Sequence, residues 1–358
     1  MNKSNLNNLI KIGHRKFKYI YLYNFAYYLF TMIVPSILFI LIGLSNKYFT
    51  TKLYHFISTS ILAISNYIVL FSHLHKDNEL EYLYSMPIHK KDVFNSNLIL
   101  GIIFYVLPSL CSYFLLFVIL LYFSPYTLIN QNQIYNILIL NFCYYLYAGL
   151  ITIFSIIMTS KIKLSVVISV IFILLDYLFY AAYTILYLCF FDINSAGTLN
   201  QHTNNIFKNI FTVLSPISLY TDSTEFINFV ICFILLIAFC IGMYKFNIYL
   251  YNIRKPENNR FVFTFNLFAR LFRIIISVLI GIVGTELIIF LYELRQNIQS
   301  KLSIGMVMSF LFATITFALL NLIDKDKYEN KFYKFVDYVL SIIIPIAIIV
   351  MYSYYVGV

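Results

Sequence analysis

The chain has 358 residues, 61% of them hydrophobic and 11% charged, with a mean hydropathy of +0.83. A soluble domain carries about 25% charged residues, and a water-soluble globule has no way to hide this much apolar side chain, so the composition excludes a soluble enzyme and calls for lipid as solvent. The formal net charge of +10 does not argue for nucleic acid, because the basic residues stand between apolar runs, where membrane topology explains them.

In chain order, residues 3–18 combine Leu6, Leu9, Ile10 and Ile12 with a basic face. They read as a helix lying flat on the inner leaflet, and no cleaved signal peptide is expected ahead of so polar a start. A helix needs roughly 20 apolar residues to cross the hydrocarbon core. That measure predicts about nine spans, near 20–44, 53–73, 97–122, 134–158, 165–191, 226–249, 272–292, 303–323 and 336–356. The predicted fold is an all-α polytopic membrane protein. Pro35, Pro108 and Pro345 fall inside spans as candidate kinks, which neighbouring helices can satisfy. With 33 Tyr and no Trp, tyrosine must supply the interfacial belt alone, as the clusters at 19–23 and 352–355 do.

Alternate loops differ in charge. With the N-terminus inside, twenty of the 25 Lys and Arg residues fall on the cytoplasmic side, and only Lys47, Lys52, Lys208, Arg295 and Lys301 fall outside. This asymmetry orients the chain with its C-terminus outside. The longest outer loop, 192–225, holds Ile206–Leu214 followed by Ser215-Pro216, too short to span and read as a re-entrant or interfacial helix. The basic loop at 250–271 divides a six-span part, 1–250, from a three-span part, 251–358.

The polar insert 74–96 separates spans two and three. Asn78 with Glu81 three residues later forms a capping-box pattern that opens a short helix. Leu80, Leu83 and Tyr84 share one face, with Glu79, Tyr82, Ser85 and Met86 around the other; Pro87 stops the helix and Asp92 caps the next one. A short amphipathic helix fixed to two spans can carry force from a soluble partner.

The run from Glu81 to Val93 resembles the signature of type-2 ABC exporter permeases, where this segment is the coupling helix that docks in a groove of the ATP-binding subunit. Glu81 matches the family glutamate, Leu83 an apolar contact, Ser85 the small residue, Pro87 the proline, and Lys90 and Lys91 the basic positions. Asn95-Ser96-Asn97 stands where the family has a lysine or arginine before the third span. The basic N-terminal segment is similar to the family's connecting helix, and Ser215-Pro216 to its outer re-entrant element. Tyr251–Glu257 followed by three spans looks like a bacterial subfamily with an extended core. The resemblance implies an exporter permease in the bacterial plasma membrane, paired with a second, identical or related permease and with an ATP-binding cassette subunit. Its coupling helix would present Glu79, Leu80, Glu81, Leu83, Tyr84, Met86 and Pro87. The implied cargo is hydrophobic or amphipathic: a peptide (antimicrobial peptides among them), an antibiotic or a lipid. ATP and Mg would belong to the partner, since the chain holds no GxxxxGK[ST] loop and no cofactor is expected in it.

Asp176 in span five and Glu286 in span seven are acids at membrane depth, read either as translocation-path residues or as neutral acids bonded to a neighbouring helix. They also support a second reading, a proton-coupled secondary transporter with these two as its relay. No HExxH, GxSxG or carboxylate dyad is present, so no enzyme activity is expected. His73 and His75 lack a third ligand, and no metal site is expected. Cys111, Cys143, Cys189, Cys232 and Cys240 all lie in apolar runs and read as small membrane-embedded hydrophobes.

Overall fold

The computed structural model describes residues 3–33, 48–85, 88–123, 131–174, 226–255, 263–291, 298–323 and 331–355. Among them the protein is all-α. The helices are α1 (Lys3–Lys16), α2 (Tyr19–Tyr28, continued by a π turn, Leu29–Ile33), α3 (Tyr48–Leu70), α4 (Asp77–Ser85), α5 (Lys90–Phe123) and α6 (Gln131–Met158). They continue with α7 (Ile162–Leu174), α8 (Phe226–Ile253), α9 (Asn266–Leu291), α10 (Ile298–Ile323) and α11 (Lys331–Tyr355). Five of them are long and apolar enough to cross a membrane: α5, α6, α8, α9 and α11. Described helix falls within each of the nine predicted intervals. Pro35, the outer segment 206–216 and Asp176 lie outside the described residues.

The chain divides into two compact units, Met1–Ile173 with Pro216–Asn259, and Leu174–Ser215 with Arg260–Val358. In the first, α3 packs on α6, α8 on α6, and α1 and α2 on α5. Lipid gives helices no hydrophobic reason to associate, so close packing and interhelical hydrogen bonds must hold them. Both are present. The buried Tyr67 ring of α3 lies over Gly101 of α5 and Gly149 of α6, where a Cβ on either glycine would run into the ring. The Tyr145 hydroxyl donates to the Gly101 carbonyl at 3.0 Å and accepts from Asn66 at 3.1 Å, and the Tyr145 ring stacks on Tyr105 at 3.8 Å.

Pro108 has no N–H, so the Phe104 carbonyl one turn earlier loses its helical donor. Asn24 of α2, fully buried, supplies the replacement by donating Nδ2–H to that oxygen at 2.7 Å. The proline therefore creates a polar socket that fixes α2 against α5. The apolar residues of α1 divide: Leu9, Ile10 and Gly13 are partly covered, whereas Ile12 is exposed along with Lys11, His14, Arg15 and Lys16, and Gly13 lies against Leu100 of α5.

In the second unit α9, α10 and α11 each pack against the other two. Gly281 and Gly284 let α9 approach Ala313 and Phe312 of α10. Val278 and Ile282 pack with Ile344 of α11. Arg270 of α9 forms a two-point ion pair with Asp337 of α11, Nε to Oδ2 at 2.9 Å and Nη2 to Oδ1 at 2.7 Å, with its guanidinium over the Tyr333 ring at 4.4 Å. Cys111, Cys143 and Cys240 are free thiols.

Candidate functional site

The polar break after α3 begins with a 3-10 turn, Ser72–His75, which leads directly into α4. The start of α4 differs from the capping-box expectation. Lys76 accepts from the Leu80 amide at 2.9 Å, so Lys76 holds the N-cap position and Asn78 lies inside the first turn. Asp77 and Glu79 in that turn complement the positive end of the helix dipole. Lys76 Nζ donates to Glu79 at 2.7 Å, which holds the Glu79 carboxyl below the usual carboxylate range. The cap of α5 differs likewise. The Asp92 and Val93 amides both donate to the His89 carbonyl, so His89 takes the cap position and Asp92 is buried one turn in.

The face of α4 is divided. Leu80 is fully buried, while Glu81, Tyr82 and Ser85 are exposed, Tyr82 by 65%. Leu80 therefore holds α4 to its own chain rather than facing outward, at roughly 1.5–3 kcal/mol for the buried side chain. Leu83 and Tyr84 belong to α4, but their side chains lie outside the described residues, as do Met86 and Pro87. Glu286 lies on α9 with its side chain outside the described set.

What fixes the connector is a residue that charge counting treats as one loop cation among twenty. Arg254, just past the end of α8, is fully buried. Its Nη1 donates to the Ile156 and Ile157 carbonyls at 2.7 and 3.0 Å, and its Nη2 to Leu74 and Thr159 at 2.8 and 3.2 Å. Three of these oxygens lie at the C-terminal end of α6, where the last carbonyls have no helical donor and the dipole is negative. The fourth belongs to the 3-10 turn. A planar guanidinium with five donors suits such a cluster, whereas a lysine ammonium does not.

The histidines complete the anchor. His73 Nε2 lies 3.2 Å from the Tyr251 hydroxyl, and His75 Nε2 lies 3.0 Å from Ser165 Oγ at the start of α7. Burial pushes both down to about 4, and the nearby Arg254 charge acts in the same direction. Both are therefore neutral at pH 7. Phe71, Phe94 and Tyr251 meet edge-on at 5.5–6.4 Å beneath the turn. The 3-10 turn, on which α4 packs, is thus tied to the ends of α6 and α8 and the start of α7, with no metal-type cluster of His, Cys, Asp or Glu among the described residues.

Deeper along the same helices lies an apolar cleft of about 300 Å³, walled by Leu98 and Ile102 of α5, Leu146 and Leu150 of α6, and Leu236 and Ile241 of α8. Tyr244 of α8 also lines it, and its hydroxyl donates to Asn95 Oδ1 of α5 at 2.9 Å. Asn247, one turn further along α8, donates to the Leu150 carbonyl at 2.9 Å.

No protein-family model, no curated protein and no solved structure matches the chain.

Proposed function

We propose that this protein is the permease subunit of an ATP-driven exporter in a bacterial plasma membrane, with its N-terminus cytoplasmic and its nine spans ending outside. It pairs with a second permease and takes its energy from a separate ATP-binding cassette subunit that holds ATP and Mg. The observation that carries the reading is the connector: a two-turn helix with Glu81, Tyr82 and Ser85 facing out and Leu80 buried, following a 3-10 turn bonded to the ends of α6 and α8. A solvated loop needs no such anchoring, whereas an element that receives a push does. The apolar cleft and the near absence of charge along the spans support a hydrophobic or amphipathic cargo such as a peptide, antibiotic or lipid.

The test is affinity purification of the full chain from its native membrane in mild detergent. An ATP-binding subunit is expected to co-purify, and Glu81→Lys with Tyr82→Ala is expected to release it while the permease stays monodisperse. Absence of any ATP-binding subunit, or its undiminished retention by the double variant, refutes the proposal.

A further inference from the structure

Arg254 does more than cap α6. Its two terminal nitrogens are shared between a carbonyl of the 3-10 turn and three carbonyls at the end of α6, while its backbone continues α8. Three residues earlier, its neighbour Tyr251 meets His73. Two turns before that, α8 turns Tyr244 and Ile241 into the apolar cleft, whose opposite wall is α5. The turn under α4 is therefore bonded to the end of the helix that forms one wall of the cleft. A guanidinium in this position has few alternative partners. If the turn moves, either Arg254 follows and drags the end of α8, or the hydrogen bond to Leu74 breaks inside the protein, which is unfavourable.

We infer that Arg254 is a positioning residue that transmits displacement of the α4 connector to the α8 wall of the apolar cleft, making the width of the cleft depend on the position of the connector. The inference adds a transmitting residue to the exporter reading, on which it rests only for the source of the force.

The experiment uses the full chain in lipid nanodiscs with its five cysteines replaced by alanine, and a nitroxide pair at Ile102→Cys and Ile241→Cys on opposite walls of the cleft. Leu80→Asn supplies the perturbation by loosening α4. With Arg254 present, Leu80→Asn is expected to change the dipolar broadening of the pair. In the Arg254→Lys background the same change at Leu80 is expected to leave the broadening as it was, because the link is already cut. Hydrogen exchange provides the local readout. Losing even one charged hydrogen bond is expected to speed exchange across residues 74–85 by about tenfold or more, with α9–α11 unaffected. Arg254→Gln, which keeps two donors in place of five, serves if the lysine variant does not fold. An equal spectral response to Leu80→Asn in both backgrounds overturns the inference, as does unchanged exchange in the Arg254 variants. None of these measurements requires an ATP-binding subunit, so a failed co-purification and a failed linkage are separate results.

Discussion

Replacing Arg270 by Met is expected to cost the second unit more than replacing its partner Asp337 by Leu, and the double replacement is expected to cost less than the sum of the two. The asymmetry comes from burial. Asp337 is 1% exposed at its side chain and Arg270 24%. Removing Arg270 strands a buried carboxylate, for which breaking a buried pair costs about 3–5 kcal/mol. Removing Asp337 strands a cation that keeps its place over Tyr333 and can extend its long stem toward the interface, at about 1–3 kcal/mol. With both charges replaced by apolar side chains nothing is stranded, and the net cost falls to about 0–2 kcal/mol. Unfolding in mixed micelles by titration with a denaturing detergent, followed by far-UV circular dichroism since the chain has no Trp, gives the three values and their coupling. Equal losses from the two single variants, or losses that simply add in the double variant, refute the reasoning.

Two further outcomes follow from the first unit. His73 and His75 fall from an ordinary value of 6.5 to about 4 on folding, so between those values the unfolded chain binds more protons than the folded one. Stability is then complete above about pH 6.5, falls as the pH drops toward 4, and loses nothing more from these groups below that. Midpoints of thermal unfolding at pH 7.5, 5.5 and 4.0 should trace this slope, and His73→Gln with His75→Asn should flatten it. Gly149→Ala places a methyl against the Tyr67 ring and is expected to lower stability by about 1–3 kcal/mol through overpacking. The same substitution at Gly242, which has open space around it, should be close to neutral in the same detergent titration.

The helices were legible because apolar length alone marks them: a run that crosses lipid has to satisfy its backbone internally, and a helix does so whatever its neighbours are. The short helix after α3 was legible for a related reason, since a polar break with acids at its start has few other local solutions. Its exact cap was not. Lys76, Asp77 and Asn78 are adjacent, and each can open a helix by a shift of one residue; the start observed is the one that leaves Leu80 buried. Leu80 itself looked like a docking residue on amphipathicity, because a helical wheel shows that a face is apolar but not whether the chain or a partner covers it.

The largest miss was Arg254, and the reason generalises to the other hidden ties. Charge counting assigns a basic residue to a side of the membrane and is blind to what it bonds, and the acceptors of Arg254 are backbone oxygens that carry no sequence signature. Asn24 bonding Phe104, Asn247 bonding Leu150 and Tyr145 bonding Gly101 repeat the pattern: a donor side chain on one helix and a carbonyl on another. The usable signal was the donor. An Asn or Arg inside or at the edge of an apolar run must find an acceptor, and Pro108 announces one by freeing the carbonyl four residues before it. Asp337 was missed in the same way, although an acid on an apolar helix needs a partner or a proton as much as Asp176 or Glu286 does. Among the described residues, the first unit ties its helices with donors on carbonyls of neighbouring helices, and the second with the Arg270–Asp337 ion pair among its ties. Carbonyls do not titrate, so the anchor under α4 holds its geometry across the pH range in which its histidines remain neutral, as the proposed coupling role would require.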